Sequence, residues 1–355
     1  MSETSAPPAR WLQRAIEAAW PGGRAASIAP LKGDASTRRF WRVWLDSGRK
    51  PAPATAVVVD LGPDDVPPYA RALSLYPEPL PEPPYLNVQR FLKSIEVPVP
   101  EVYYSRRKER LLLVEDVGDR SLFQSALSDP ARAPALYCAA VEELLRIHVD
   151  GTIRRDPRCY AFRIQYNGRL FGWELEQFAE FGLAAVAPDA NREAVLPDLA
   201  ELAARMDCIP RVFSHRDYHG GNLFVDQGAG REIRLRVLDF QDALLAAPAH
   251  DLALLMTTRD TARVVTPALE NRLLDFYLGG LSRRGVRADD RAQFVESYRL
   301  CVLQHALKMI GRFTLLERAG KPGYAVYVPH AVAQARRMLR QGDDFPSLRQ
   351  MLGVG

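Results

Sequence analysis

His215-Arg216-Asp217-Tyr218-His219-Gly220-Gly221-Asn222 reads H-R-D-x-x-x-x-N, and seventeen residues beyond Asn222 the chain reaches Asp239 in Leu238-Asp239-Phe240-Gln241-Asp242. These residue types at this spacing suit phosphoryl transfer. An aspartate on a loop leaving a strand can accept a proton from an attacking hydroxyl or aim it, which makes Asp217 the candidate catalytic base. Asn222, five residues on, turns back toward the same cavity as a candidate metal ligand, and Asp239 is the second. An oxygen-lined pair of this kind fits Mg2+, which keeps several waters and completes its shell with substrate phosphates.

Each of these side chains must be delivered by an element. Asn222-Leu223-Phe224-Val225-Asp226 reads as a short apolar strand, 227–231 as a Gly-rich turn, and Leu235-Arg236-Val237-Leu238 as a second strand ending on Asp239. Such a hairpin returns Asp239 to the side of Asn222. Either motif fragment alone arises by chance; in this order, with the asparagine in register and a strand between, they are specific. His215 reads as a brace for the loop rather than as an acid or base. His219 has two readings, a contact to substrate or a histidine satisfied within its own loop.

A chain of 355 residues can bury a large core and is long for one domain, so two lobes are expected. Apolar residues at 47% and charged residues at 25% exclude a disordered or fibrous chain. No apolar run approaches the roughly 18 residues of a membrane span. Residues 1–10 lack the apolar stretch and cleavage pattern of a signal peptide. A cytoplasmic monomer that engages no membrane is therefore expected. Cys138, Cys159, Cys208 and Cys301 form no C-x-x-C pair and read as reduced thiols. The net charge of +4 is spread over scattered arginines, without the basic run of a nucleic-acid module, so no nucleic acid is expected as partner. From Arg259 onward the chain carries 16 basic and 9 acidic residues, a surplus that disfavours a polycationic acceptor.

Trp11 to Trp20 predicts an amphipathic helix closed by Pro21-Gly22-Gly23, followed by strands over 27–31, 40–45 and 56–59. Leu61 to Pro84 holds eight prolines, which argue against a regular helix and for a surface excursion or lid. A helix over 87–94 and strands over 101–105 and 110–115 come next, the last running into the polar turn Asp116-Val117-Gly118-Asp119. The rest reads as mainly helical. Val141, Leu144, Leu145 and His148 share one helical face, as do Phe294, Tyr298, Cys301, Val302 and His305, so both histidines read as core or helix-end residues. Over 170–181, Phe171, Trp173, Phe178 and Phe181 among Glu174, Glu176 and Glu180 have two readings, a core stripe with a solvated acidic face or an aromatic-acidic helix that stacks on and hydrogen-bonds a sugar, the first being preferred.

The combination of H-R-D-x-x-x-x-N, L-D-F-Q-D-A and the helix opening at His250-Asp251-Leu252-Ala253 resembles the aminoglycoside phosphotransferase and choline kinase superfamily. More narrowly, three features resemble the anomeric N-acetylmuramate/N-acetylglucosamine kinases of bacterial cell-wall recycling. They are the run from Gly33 to Phe40, Gln241 within D-F-Q-D-A, and the run from Leu307 to Phe313 with Lys321 to Tyr324. The resemblance implies an α+β, bilobal, protein-kinase-like fold: a small β-rich N-lobe (1–115), a hinge (116–119) and a larger, mainly helical C-lobe (120–355). It implies ATP as donor, Mg2+ as cofactor and a sugar C1 hydroxyl as acceptor. It further implies Asp217 as base, Asn222 and Asp239 as magnesium ligands, and Asp251 as a structural brace. In such folds the loop bearing Ser36, Thr37, Arg38 and Arg39 covers the nucleotide phosphates, and the hinge backbone at Glu115 and Val117 meets the adenine.

Two departures stand out. Val57-Val58-Val59-Asp60 lacks the third-strand lysine that grips phosphates in many members, a charge that Arg38 or Arg39 would have to supply. The next residues, Asp60-Leu61-Gly62-Pro63-Asp64-Asp65, replace the apolar turn of the cell-wall kinases. Alternatives are another hydroxyl acceptor (an aminoglycoside, choline or a different sugar) and a degenerate kinase fold serving as a binding module.

Overall fold

The computed structural model describes residues 6–31, 38–46, 48, 51–62, 80–106, 109–226, 233–259, 261–287 and 290–355. Five antiparallel strands form the N-terminal lobe: β1 (Arg24–Leu31), β2 (Arg39–Asp46), β3 (Thr55–Asp60), β4 (Val102–Ser105) and β5 (Leu111–Glu115), in spatial order β1-β2-β3-β5-β4. The two-residue period of the strands divides their side chains between the sheet's faces. Trp41, Val43, Ala56, Val58, Leu111 and Leu113 meet Trp11, Leu12, Ala15 and Ile16 of helix α1 (Ala9–Ala19) in a small core of their own. Val57, Val59, Leu112 and Val114 point the other way, into the main core, where helix α2 (Pro84–Ser94) brings Val88, Phe91 and Leu92. That second face is the one turned toward the rest of the molecule.

Helix α2 begins three residues earlier than its apolar pattern suggests, at the last proline of the Pro-rich stretch. Proline at a first helical position loses no hydrogen bond, since that N–H would be unpaired anyway. The lid or excursion expected over 61–84 falls largely on 63–79, outside the described residues.

The second lobe is helical around two short strand pairs. Helices α3 (Leu122–Ser128), α4 (Ala133–Leu145), α5 (Gly168–Gln177) and α6 (Arg192–Asp207) precede strand β6 (Val212–Ser214), the β7 (Leu223–Val225) and β8 (Leu235–Val237) pair, and β9 (Leu244–Ala246). Helices α7 (Pro248–Thr257), α8 (Pro267–Arg283), α9 (Arg291–Arg318), α10 (Val328–Leu339) and α11 (Pro346–Met351) complete it. Strand β6 pairs with β9, and β7 with β8 in the register Leu223 to Val237. Helix α9 crosses the π-turn at Phe178–Gly182 at two glycines: a Cβ on Gly311 would lie 2.6 Å from the backbone N of Phe178, and one on Gly182 2.9 Å from the backbone N of Gly311.

Cys138, Cys159, Cys208 and Cys301 are all free thiols. No helix among the described residues is long and apolar enough to cross a membrane.

Candidate active site

The motif residues converge on the loop between β6 and β7. Arg216 holds a left-handed backbone (φ 76°), a conformation that costs about 1–3 kcal/mol in a non-glycine residue unless its surroundings impose it. Asp251, on the first turns of α7 and fully buried, imposes it. Its Oδ2 accepts from Ser214 Oγ (2.8 Å), the His215 N–H (2.8 Å) and His148 Nε2 (3.1 Å), and its Oδ1 accepts from the Arg216 N–H (2.9 Å). Burial alone would raise the Asp251 pKa, but the hydrogen bonds it accepts, that of His148 foremost, hold it well below the usual carboxylate range. Asp251 therefore braces the loop and does not cap α7, whose N-cap position is Ala247. His148 passes the constraint on, its Nδ1 accepting from Tyr277 Oη at 2.8 Å.

His215 Nε2 donates to Leu238 O (2.9 Å), and its Nδ1 accepts from the Asp217 N–H (3.2 Å). The imidazole thus ties the candidate base to the strand that carries Asp239. Tyr218 Oη anchors the loop to α4 through Ala140 O at 2.7 Å. His219 Nδ1 accepts from the Gly221 N–H at 3.1 Å, and burial lowers the His219 pKa, which keeps the ring neutral.

The β7–β8 pair returns the chain as its sequence pattern indicates: the Leu238 N–H donates to Asn222 O at 2.9 Å, which sets Asp239 beside Asn222. Asn222 Nδ2 donates to Asp217 O (2.9 Å), so the amide is held by its nitrogen and its oxygen is the end that could meet a metal. Asp239 also has a left-handed backbone (φ 62°). Its Oδ1 accepts from Arg38 Nη1 (2.9 Å) and Gln241 Nε2 (3.0 Å). Burial opposes ionisation of Asp239, and the Arg38 charge and Gln241 hydrogen bond overcome it, leaving the pKa lowered. No cluster of three or more His, Cys, Asp or Glu suited to a metal occurs among the described residues. The donor set is an amide oxygen and a carboxylate, which fits Mg2+ shared with phosphates and does not fit a closed protein cage.

On the cleft face of the sheet, the third strand presents Val57 and Val59, both buried against apolar neighbours, and no lysine. Kinases that use that lysine pair it with a glutamate on the following helix. Here α2 carries no acidic residue, so both halves of the pair are absent together. The two arginines proposed as substitutes separate. Arg38 reaches Asp239, whereas Arg39 Nη2 pairs with Asp60 Oδ2 on the neighbouring strand (2.8 Å) and its guanidinium lies over Trp41. Ser36 and Thr37 lie outside the described residues.

At the turn after β5, Arg42 of β2 binds Asp116 (Nε–Oδ2 2.6 Å) and Asp119 (Nη1–Oδ2 2.8 Å), clamping the crossing segment to the sheet. Arg42, Trp44, Thr55, Asp116, Gly118 and Asp119 line an open hollow there. The Glu115 side chain is engaged by Arg236 Nη2 (3.1 Å) and the Glu101 N–H (3.1 Å), and Val117 is half-buried within the turn. The Glu115 N–H is itself spent on Glu101 O at 2.8 Å.

The Arg216 side chain, next to Asp217 in the chain, reaches a buried polar network around Glu174. Glu174 is 2% exposed rather than on a solvated face. Its carboxylate meets Lys308 Nζ (2.8 Å), Gln304 Nε2 (2.9 Å), Arg216 Nη2 (3.5 Å) and Tyr166 Oη. Burial would raise the Glu174 pKa, but Lys308 and Arg216 bring it down to about 2. Helical periodicity could not place Glu174, since its partners come from α9 and from the catalytic loop. Gln304 Oε1, His305 Nδ1 and Gln241 Oε1 are buried without a hydrogen-bond partner among the described residues. Unpaired buried polar atoms are costly, so each of the three is a place where the protein leaves a hydrogen-bonding group unspent. Burial, with Lys308 second, holds the His305 pKa well below its ordinary value, so the ring is neutral.

A sheet lobe and a helical lobe meeting at a loop that presents Asp217, with Asn222 and Asp239 beside it, define a bilobal, kinase-like phosphotransferase fold. The model of the phosphotransferase enzyme family (APH) matches residues 27–293, and the chain belongs to that family. Among curated relatives, an N-acetylmuramate/N-acetylglucosamine kinase of Caulobacter vibrioides is 31% identical over 67% of this chain and 65% of its own length. One of Pseudomonas aeruginosa with the same name is 26% identical over 92% of this chain and 89% of its own. Among solved structures, a Plasmodium vivax ethanolamine kinase (TM-score 0.57, 11% identity, 88% of this chain, 82% of that one) shares the fold. So does an ADP-bound aminoglycoside phosphotransferase, APH(2'')-Ib (TM-score 0.56, 12% identity, 93% of this chain, 95% of that one).

Proposed function

We propose that this protein is an ATP- and Mg2+-dependent kinase that phosphorylates the anomeric hydroxyl of N-acetylmuramate and N-acetylglucosamine, giving the sugar 1-phosphate. The observation that carries the reading is the juxtaposition of Asp217, Asn222 and Asp239 on one braced loop and hairpin, in a chain whose curated relatives bear those sugars in their names. In this reading residues 1–115 and 120–355 are the two lobes, with 116–119 as hinge. The nucleotide base lies against the hollow lined by Trp44, Asp116 and Gly118, next to the hinge-side residues Glu115 and Val117. Its phosphates extend beneath the loop carrying Ser36, Thr37 and Arg38. Arg38 takes the part of the absent lysine, and Arg39, spent on Asp60, does not.

Asn222 and Asp239 would hold Mg2+, whose charge offsets that of the phosphates when bound. Asp217 receives or aims the proton of the acceptor hydroxyl, on a loop that His215, Tyr218 and Asp251 prevent from drifting. An anomeric hydroxyl is more acidic than an ordinary alcohol and asks less of that base. His305, a neutral ring whose Nδ1 has no hydrogen-bond partner among the described residues, is a group suited to a sugar hydroxyl.

The test is nucleotide consumption over a panel of free sugars, aminoglycosides and choline, with the phosphate position in the product read by NMR. Phosphate at C1 of the amino sugars is expected. Asp217→Asn should lower kcat by about 10²-fold or more with nucleotide binding kept, the usual scale of a lost general base. Turnover of choline or an aminoglycoside alone, or full activity of the variant, would refute the reading.

A further inference from the structure

Arg42, Trp44 and Thr55 stand on the lobe-facing side of the sheet. In the β2–β3 register Arg42 lies opposite Val57 and Trp44 opposite Thr55, and Val57 points into the main core. With Asp116, Gly118 and Asp119 of the crossing segment, they line a hollow of about 250 Å3. That volume is below the roughly 300–1,000 Å3 of a pocket that buries a whole ligand, and suits one flat part of a ligand. Trp44, 40% exposed, supplies an apolar ring at its wall.

The side chains around the hollow have largely used their donors. Arg42 Nε and Nη2 donate to Asp116 (2.6 and 3.0 Å), and Nη1 and Nη2 donate to Asp119 (2.8 and 2.9 Å). Four of the five guanidinium N–H groups are thereby engaged. The Thr55 side chain and the Gly118 N–H donate to Asp116 as well. Two carboxylates thus meet one guanidinium, a formal surplus of one negative charge. The Asp116 side chain is 6% exposed and that of Asp119 74%, so Asp119 is the carboxylate that a ligand in the hollow can reach. What it offers is an acceptor.

Purine bases differ on the edge that such an acceptor meets. A 6-amino purine presents an N–H donor there, whereas a 6-oxo purine presents an oxygen that a carboxylate repels. Guanine adds two parallel donors, N1–H and its 2-amino group, which would suit an unoccupied carboxylate. The Arg42 fork already holds the paired face of Asp119 where those two donors would have to sit. A single amino hydrogen needs only one of the lone pairs left on Asp119.

We propose that Asp119, held in place by Arg42, reads the 6-position of the nucleotide base and selects adenine over 6-oxo purines. This rests on the base lying in the hollow and is independent of which acceptor is phosphorylated. Asp119 determines specificity and takes no part in the phosphoryl transfer.

The experiment is isothermal titration calorimetry with ADP, GDP and IDP, in the presence of Mg2+ and without sugar; IDP carries the 6-oxo group but lacks the 2-amino group. The parent protein should bind ADP about tenfold more tightly than GDP or IDP, the lower end of the scale of one hydrogen bond to a charged group. Asp119→Asn, whose amide can donate to a 6-oxo group, should bring the three within about threefold of one another. Trp44→Leu should weaken all three by a similar factor, about fivefold, the scale of one aromatic contact. Equal or reversed affinities in the parent, or a ratio that Asp119→Asn leaves unchanged, would overturn the selection. Unaltered affinities in Trp44→Leu would overturn the placing of the base, and the selection with it. A parent that binds none of the three would overturn the kinase reading itself.

Discussion

Replacing Asp251 by asparagine removes one charge and keeps the shape, so it isolates what the buried carboxylate does for the catalytic loop. Four donors converge on it, three on Oδ2 and the Arg216 N–H on Oδ1. The least costly amide orientation keeps its oxygen toward Ser214, His215 and His148, and turns its NH2 toward the Arg216 N–H. One hydrogen bond to a charged acceptor is then lost, with a backbone donor left facing another donor, at about 1–3 kcal/mol. The other three become neutral bonds, each weaker by about 0.5 kcal/mol. The sum is about 2.5–4.5 kcal/mol. A chain of this length unfolds with an entropy of about 0.75 kcal/mol/K, so the melting temperature should fall by about 3–6 °C. The bond that is lost holds Arg216 in its left-handed conformation directly before Asp217. A displacement of the base by about 1 Å costs on the order of 10²-fold in rate, so kcat should fall at least tenfold with nucleotide affinity little changed. Differential scanning calorimetry and steady-state kinetics on the same preparation check both. A melting temperature within about 1 °C of the parent, together with kcat within twofold, would refute the brace.

Glu174 provides a pH signature. Its folded pKa of about 2 lies below the roughly 4.3 of an unfolded glutamate, so its contribution is complete above about pH 5 and is lost as the pH falls toward 2. The shift sets a ceiling of about 3 kcal/mol, and Glu174→Gln should flatten that part of the urea-midpoint profile; an unchanged acid slope would count against the network. Arg38→Met should weaken ATP binding about tenfold or more in titration calorimetry while adenosine binding stays put, and Arg39→Met should leave both within about twofold. Equal effects of the two substitutions would remove the distinction drawn from their ion pairs. Gly311→Ala drives a methyl to within 2.6 Å of backbone at Phe178 and should destabilise by about 1–3 kcal/mol by urea denaturation, whereas a neutral result would mean the crossing can open.

The chemistry-bearing positions were legible because they are local. Five residues of loop link Asp217 to Asn222, and a hairpin of two short strands brings Asp239 back, so spacing alone predicted which carboxylate and which amide would meet. Strands, the first helix and the polar turn after β5 followed from period-two and helical patterns for the same reason. The proline-rich stretch was read too uniformly, since Pro84 opens α2 where its missing N–H costs nothing.

What only the tertiary structure decided lies in pairs far apart along the chain. Arg38 and Arg39 are adjacent and alike in sequence; strand register sends Arg39 to Asp60 and leaves Arg38 at Asp239. Glu174 reads as solvated until Lys308 and Gln304 arrive from a helix more than a hundred residues later and Arg216 from the catalytic loop. The absence of the third-strand lysine becomes coherent only when Val59 is seen buried above a helix with no acid to pair it. Local periodicity encodes which face of an element is apolar. Which charges meet across elements depends on how those elements pack, and that packing determines the acceptor side of this site.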